Sequence, residues 1–198
     1  DLSIVRRLAD HVYVMKGGRL SENNETETLF SFPSEKYTQQ LLAADPSGKP
    51  DPVPAEAKEI IAANGVKVWF PIKRGVIRRT IGHIKAVDGI NLILREGQTL
   101  GVVGESGSGK STLGRALLRL ENSRGEIHFM GHDIKNYGWK EMLPLRRELQ
   151  IVFQDPFGSM SPRMSVFQVV EEGLLVHGLG VSYRDRRQLV GEALEKVD

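Results

Sequence analysis

The feature that most constrains the fold is a glycine-rich stretch of nine residues between an apolar run and a segment of helical periodicity. Its spacing fits G-x-x-x-x-G-K-[ST], a pattern in which a tight turn joins a strand to a helix. The apolar run before it, 99–103, predicts a buried strand, and apolar residues at helical spacing follow it. The stretch consists of Gly104, Glu105, Ser106, Gly107, Ser108, Gly109, Lys110, Ser111 and Thr112.

The residue types in this stretch suit the binding of phosphate groups. The small residues 107–109 allow backbone N–H groups to close around phosphate oxygens. A helix N-terminus favours an anion through its unpaired donors and its dipole. Lys110 can reach the β- and γ-phosphates of a nucleotide, and the Ser111 hydroxyl can ligate Mg²⁺. The sequence therefore predicts nucleotide binding, against the alternative of a glycine-rich turn that matches by chance.

Composition excludes several other classes of function. The 27 Lys and Arg residues nearly balance the 25 Asp and Glu residues, so no strong field predicts binding to nucleic acid or to an anionic membrane. The absence of cysteine excludes disulfides and thiolate zinc sites. No apolar run approaches the roughly 20 residues that span a bilayer, so a membrane role would pass through a partner. The histidines lack the spacing of metal ligands: His11, His83, His128, His132 and His177.

A proline-rich stretch divides the chain. Four prolines between Asp45 and Pro54 favour an extended spacer, and we interpret residues 45–58 as a linker. Residues 1–44 predict a helix from Asp1, a hairpin that turns at 16–19, a polar stretch at 21–28, and a helix from an N-cap at Ser34 through Ala44. These few elements cannot bury a core alone. We expect the tail of a preceding domain, either mobile or packed on a neighbouring molecule.

Residues 59–198 predict a second domain. Alternating apolar residues indicate strands at 66–70 and 84–94 and a hairpin that turns at Gly131, and a further strand is expected at 149–153. Helices are expected at 139–149, interrupted near Pro144, and after N-caps at Ser165 and Ser182. Antiparallel strands on both sides of a phosphate loop are unusual in a simple doubly wound fold. The basic tract 73–79 suits a solvated loop or, less simply, a contact to phosphate or to a partner.

Four blocks together carry a resemblance to a known family. They are 85–90 (KAVDGI), 100–112 with the phosphate loop, 152–156 (VFQDP) and 161–164 (SPRM). With these blocks the second domain resembles the ATP-binding domain of ABC transporters, in the oligopeptide and dipeptide import branch. The resemblance implies an α/β fold, a P-loop NTPase of ABC type. It would comprise an antiparallel β subdomain with a P-loop core at 59–155 and the start of a helical subdomain at 156–198.

The opening segment resembles the tail of a second domain of the same family. Residues 1–10 resemble the stretch that follows the family's switch histidine. The family's end motif is changed to 35–38 (EKYT), which leaves the role of that motif open. A tail, a linker and a new head in one chain resemble the fused two-domain ATPase subunits of peptide importers. We therefore expect an internal, truncated piece of such a subunit.

The resemblance also implies roles for individual residues. The stretch from Gly104 to Thr112 would hold the triphosphate of ATP, Ser111 and Gln154 would contact Mg²⁺, and Gln154 would sense the γ-phosphate and the membrane domain. Phe70 matches the position whose ring stacks on adenine; the alternative is an ordinary core aromatic. Trp69 should point to the other face of the strand. Besides Lys110 and Gln154, no catalytic residue is expected here.

The same resemblance implies that several catalytic motifs lie outside these 198 residues and that the protein works with partners. The signature loop, the acidic strand and the switch histidine of the second domain would follow Asp198, so we expect ATP binding without efficient turnover. Implied partners are the transmembrane permease subunits and the second ATPase domain, at the cytoplasmic face of the inner membrane, for import of a peptide or peptide-like substrate.

Three other functions remain in competition. A GTPase would need an Asn-Lys-x-Asp motif, which does not occur, and the Gln154 block fits neither a GTPase nor a kinase. A DNA-repair ABC ATPase would carry cysteine zinc modules, and this chain contains no cysteine. A non-catalytic interaction module that keeps a nucleotide-binding loop is separable only by measuring turnover.

Overall fold

The computed structural model describes residues 2–45, 48–75, 78–156 and 158–197. Predictions that fall on Asp1, on 46–47 of the linker, on 76–77 of the basic tract or on Asp198 lie outside these residues. The chain divides into two compact units, Asp1–Pro52 and Val53–Asp198.

The elements alternate irregularly along the two units. The first unit contains α1 (Leu2–Leu8), β1 (His11–Lys16), β2 (Arg19–Glu25), α2 (Thr26–Ser31) and α3 (Lys36–Ala43). The second contains β3 (Glu59–Arg74), β4 (Arg79–Arg95), α4 (Lys110–Leu117), β5 (Arg124–Phe129), β6 (His132–Asp133), α5 (Trp139–Leu145), α6 (Val166–Val176) and α7 (Tyr183–Glu195).

The first unit is built on an antiparallel hairpin. β1 pairs with β2 across the predicted turn, with Lys16 opposite Arg19. The polar stretch 21–28 is regular structure, since β2 continues to Glu25 and α2 follows at once. Val14 and Leu29 are buried, yet an apolar cleft of about 360 Å³ remains beside them. This unit therefore leaves its core partly open.

The predicted N-cap at Ser34 is wrong. α3 begins at Lys36, and its N-cap Glu35 makes no side-chain capping bond. Ser34 instead donates from its backbone N–H and its hydroxyl to Glu22 Oε1, at 2.8 and 2.7 Å, and the Glu35 N–H donates to Glu22 Oε2 at 3.1 Å. The nearby Thr38 hydroxyl, together with these hydrogen bonds from Ser34 and Glu35, lowers the pKa of Glu22 to about 2. A carboxylate on β2 thus anchors the start of α3.

The second unit contains a four-stranded antiparallel sheet in the order β4-β3-β5-β6. β3 and β4 form one long hairpin, and Val66 and Val68 are buried at alternate positions of β3. Residues Ile127 and Phe129 of β5 extend this apolar face. The buried face of the sheet packs against α4, through Leu113 and Ala116, and against α5. This packing holds the N-terminus of α4 beside the sheet.

Two predicted strands do not form. Residues 99–103 and 149–153 are in no strand, although both runs are apolar at successive positions. Such runs are typical of parallel strands buried on both faces, which need neighbours for their backbone groups. Within the described residues no strand pairs with either run, and Val103 and Val152 are 93% and 91% exposed.

The helices of the second unit begin largely where the sequence predicts. Ser165 caps α6 reciprocally with Gln168, and Ser182 caps α7 reciprocally with Asp185. Hydrogen bonds from Ser182 hold the pKa of Asp185 below its ordinary value. The predicted helix at 139–149 is shorter, because α5 ends at Leu145 directly after Pro144. None of the helices in the described part of the chain is long and apolar enough to cross a membrane.

Candidate functional site

The glycine-rich stretch folds into a loop that opens helix α4. Gly109 is the N-cap of the helix and has φ +96°, a backbone conformation that glycine adopts without strain. A Cβ atom at Gly109 would lie 2.1 Å from the carbonyl oxygen of Ala86 on β4. A Cβ at Gly104 would lie 2.8 Å from the hydroxyl oxygen of Ser108. Glycine at 109 therefore lets the start of α4 approach the backbone of β4.

The side chain of Lys110 turns back over this loop. Its ammonium donates to the carbonyl oxygens of Gly104 and Glu105, at 2.7 and 2.6 Å, and to the Ser108 hydroxyl at 3.4 Å. The positive charge of Lys110 thus lies against the loop. The first N–H groups of α4 have no partner within the helix and point out of its N-terminus. Ammonium and backbone donors together make this end of the helix suitable for an anion.

A cleft of about 340 Å³ lies between the loop and strand β4. Its size is within the range of small-molecule sites, and its lining combines apolar side chains with polar loop atoms, as such sites usually do. Lys110 and Gly104 line one side, and Ala86, Val87 and Asp88 line the other. Residues 85–90 carry part of the family resemblance, but their sequence alone predicts no role for them in the site. Their position beside the loop is the signal that this block contributes to the site.

The first turn of α4 places its hydroxyl groups next to the loop. Ser111 is exposed and Thr112 is half-buried, whereas the next residue, Leu113, is buried against the sheet. The buried leucine fixes the rotation of the helix, so that the Ser111 hydroxyl remains accessible. An accessible hydroxyl at this position fits a ligand of a hard cation such as Mg²⁺.

Phe70 and Trp69 lie on opposite faces of β3. Phe70 follows the buried residues Val66 and Val68 at every second position and is 38% exposed. It shares its strand face with Val68, whose cross-strand partner Val87 lines the cleft. Phe70 itself does not line the cleft formed by the described residues, but its partly exposed ring lies on the β3 face that carries Val68.

Trp69 is engaged by polar neighbours on the other face. Its indole N–H donates to Asp88 Oδ1 at 3.0 Å, and the ammonium of Lys85 lies 4.6 Å from its ring centroid. The ion pair of Lys85 with Asp88, at 3.3 Å, completes the arrangement. Trp69 is therefore held by polar and charged neighbours on the face of β3 opposite Phe70.

Gln154 is not brought to the loop in this structure. It is exposed, follows the unpaired run 149–153, and does not line the cleft formed by the described residues. The following turn is held by Asp155, whose side chain accepts from the Gly158 N–H at 3.0 Å and whose carbonyl accepts from the Ser159 hydroxyl at 3.1 Å. The assignment of Gln154 to the site stays a prediction.

Within the described ranges, no group of three or more His, Asp or Glu side chains gathers closely enough to hold a metal ion. A divalent cation here would be held by few protein atoms and by the phosphates of a nucleotide, which is how Mg²⁺ is usually bound at such sites. The Ser111 hydroxyl is the protein group that fits this arrangement.

A phosphate loop at the N-terminus of a helix, packed on a sheet, defines a P-loop nucleotide-binding protein. Residues 87–198 match the family model described as ABC transporter. Because this match covers more than half of the chain, the chain belongs to the ABC transporter family, and its fold is that of a P-loop ATP-binding cassette.

Relatives and solved structures agree with this assignment. The chain is 52% identical over 197 residues to "Peptidoglycan transport ATP-binding protein YejF" of Agrobacterium fabrum, covering 100% of this chain and 36% of that protein. It is 47% identical to "Uncharacterized ABC transporter ATP-binding protein YejF" of Escherichia coli, covering 100% of this chain and 37% of the relative. A dimeric ATP-binding cassette solved in a post-hydrolysis state with ADP and Pi superimposes with a TM-score of 0.55 at 25% identity, over 69% of this chain and 56% of that one.

These relatives confirm the predicted resemblance to the import ATPases of the ABC transporter family, and both carry the name YejF. The chain spans just over a third of the length of the two YejF relatives. Its division into a tail, a linker and a head stays a prediction.

Proposed function

We propose that this chain is the ATP-binding, energy-coupling part of an ABC importer for peptides or peptide-like compounds. The observation that carries the proposal is the close approach of Gly109 to the Ala86 carbonyl, which places the N-terminus of α4 beside the cleft. The imported class follows from the peptidoglycan and glutathione transport named for relatives at 52% and 39% identity.

The loop from Gly104 to Thr112 would hold the triphosphate. Lys110 would exchange the carbonyls of Gly104 and Glu105 for phosphate oxygens, because a charge-assisted bond to an anion is stronger than one to a neutral carbonyl. The backbone N–H groups at the start of α4 would complete the phosphate contacts. The Ser111 hydroxyl would ligate the Mg²⁺ that accompanies ATP.

Phe70 would bind the adenine ring by stacking. Its accessible ring shares a strand face with Val68, the cross-strand partner of the cleft residue Val87, so a nucleotide with its phosphates at Lys110 could extend along β4 toward it. Stacking of a base on an aromatic ring contributes about 1–3 kcal/mol.

Hydrolysis would require more than this part of the site. Phosphoryl transfer depends on positioning the attacking water and stabilising charge around the γ-phosphate. Lys110 would stabilise that charge, and Gln154 would have to move toward the phosphate to contribute. We therefore expect the 198-residue chain to bind Mg-ATP and to turn it over poorly, with ATPase activity belonging to the complete subunit.

The segment after Gln154 would bind the permease. Residues 160–170 form an apolar groove of about 360 Å³ that includes Met160 and Met164, and methionine adapts readily to a partner's surface. Docking of transmembrane subunits there would hold the chain at the cytoplasmic face of the inner membrane, with a second ATPase domain as the other partner.

The test is Mg-ATP binding and hydrolysis by this chain, beside Lys110→Ala. Lys140→Ala is the matched control, since Lys140 is exposed and has no ion pair within the described residues. We expect binding that only Lys110→Ala weakens strongly, without efficient turnover. Equal binding by the two variants, or none by the unmodified chain, would contradict a phosphate-binding loop. Turnover well above that of Lys110→Ala would show a complete catalytic site in this chain.

A further inference from the structure

We propose that Arg146 is a positioning residue that ties the end of the phosphate-loop helix α4 to the segment that leads to Gln154. Through this tie, occupancy of the loop would alter the conformation of residues 150–156. The inference rests on the proposed function and adds to it a residue that contacts neither nucleotide nor metal.

The C-terminus of α4 leaves two carbonyl groups for Arg146. The chain leaves the helix through paired backbone bonds, from the Leu120 N–H to the Arg115 carbonyl at 2.8 Å and from the Arg119 N–H to the Ala116 carbonyl at 3.0 Å. This is the Schellman pattern, whose left-handed residue is usually glycine. Here Arg119 occupies that position with φ +54°. The carbonyls of Leu118 and Arg119 are not used by these bonds.

Arg146 binds both of these carbonyls. Its Nη1 donates to the Leu118 oxygen, and its Nη2 donates to the Arg119 oxygen at 3.3 Å. The guanidinium is half-buried, and burial together with the nearby charge of Arg119 lowers the pKa of Arg146. An arginine nevertheless stays charged in a protein. A planar cation with two donors thus faces the negative end of the helix dipole, where a cation is favoured.

The backbone of Arg146 lies at the start of the segment that leads to Gln154. Arg146 is the C-cap of α5, and its carbonyl accepts from the Gln150 side-chain amide at 2.8 Å. Leu149 lies between them and is buried in the core cluster that also contains Leu113 and Ala116 of α4. The turn from Arg146 to Gln150 is therefore fixed at both ends, only a few residues before Gln154.

These contacts give a continuous physical connection. Phosphate binding acts on the N-terminus of α4, and a short helix moves as a rigid body, so any shift reaches the carbonyls held by Arg146. Arg146 passes that shift to the turn 146–150, which leads without regular structure to Gln154. Leu113 and Ala116 keep the helix on the sheet but bind no atom of this turn through hydrogen bonds. Arg146 is thus the polar link between the two segments.

The test is hydrogen–deuterium exchange of the full 198-residue chain with and without Mg-ATP. Arg146→Ala is compared with Arg147→Ala, because Arg147 is adjacent, exposed and in no ion pair of the residues that the structure covers. We expect Mg-ATP to change exchange at 104–112 in all of these chains. At 150–156 we expect the change to be about threefold smaller or less in Arg146→Ala, and unaltered in Arg147→Ala.

Arg146→Lys keeps the charge but loses the two-pronged geometry, and it serves if Arg146→Ala does not fold. We expect it to bind Mg-ATP at 104–112 and to show only part of the change at 150–156. A full change at 150–156 in either Arg146 variant would overturn the inference, as would no change there in the unmodified chain that responds at 104–112. No response at 104–112 in the unmodified chain would overturn both this inference and nucleotide binding itself.

Discussion

Replacing Gly109 by alanine tests the geometry on which the nucleotide site depends. The added Cβ would lie 2.1 Å from the Ala86 carbonyl oxygen, a backbone atom that cannot move without displacing β4. Alanine in a left-handed conformation costs about 1–2 kcal/mol, and overpacking costs about 1–3 kcal/mol. The sum is roughly 2–5 kcal/mol of folding stability, which a typical domain with about 5–15 kcal/mol can survive. We also expect the displaced loop to lose Mg-ATP affinity by about tenfold or more.

Urea unfolding followed by tryptophan fluorescence measures this loss of stability in the second unit, to which Gly109 belongs. Trp69 and Trp139 are the two tryptophans of the chain, and both belong to the second unit. Gly114→Ala is the matched control, since Gly114 lies within α4 and a Cβ there meets nothing within 4 Å. It should stabilise the helix by about 1 kcal/mol. A Gly109→Ala variant that is as stable as the unmodified chain and binds Mg-ATP as tightly would show that the Ala86 carbonyl does not constrain residue 109.

Two further predictions concern side chains on the strands. The pKa of Glu22 falls from 4.5 to about 2 on folding, so its contribution to stability is full above pH 4.5 and is lost as pH falls toward 2. An NMR titration of the Glu22 carboxyl should give a midpoint near 2, and Glu22→Gln should remove this part of the acid sensitivity. A midpoint near 4.5 would contradict the hydrogen bonds by which Glu22 anchors the start of α3. Phe70→Ala should weaken Mg-ATP binding by about tenfold, corresponding to the loss of one stacked base. Phe32→Ala, at a side chain that is 79% exposed in the first unit, should leave calorimetric affinity unchanged, and equal affinities for all three chains would argue against adenine stacking.

The features that the sequence predicts well are those with local causes. The reciprocal caps at Ser165 and Ser182 depend on a partner three residues away, and each forms as predicted. The hairpin that turns at Gly131 and the alternation of Val66 with Val68 also depend on near neighbours in the chain. The turn from the glycine-rich loop into α4 belongs with them, because its glycines, lysine and following helix are contiguous.

The features that the sequence does not predict depend on distant partners. Serine is a residue type that often caps helices, yet the backbone N–H and the hydroxyl of Ser34 both donate to the carboxylate of Glu22 on β2. The need for glycine at 109 comes from its chain conformation, which the motif predicts, and also from the Ala86 carbonyl on β4, which the motif does not. In the sequence, Arg146 and Arg147 are two adjacent basic residues with nothing to distinguish them. Only the fold shows that Arg146, and not Arg147, reaches the end of α4.

The two runs at 99–103 and 149–153 also depend on distant partners, and both lead into predicted site residues. Their sequence has the apolar character of strands buried on both faces, but a strand forms only when a neighbour supplies hydrogen bonds. One run leads into the phosphate loop and the other leads into Gln154. If neighbouring strands paired with both runs, the loop and Gln154 would emerge at the same edge of one parallel sheet, where such folds bind ligands. That pairing would bring Gln154 toward Ser111, with Arg146 already linking the segments on which the two residues lie.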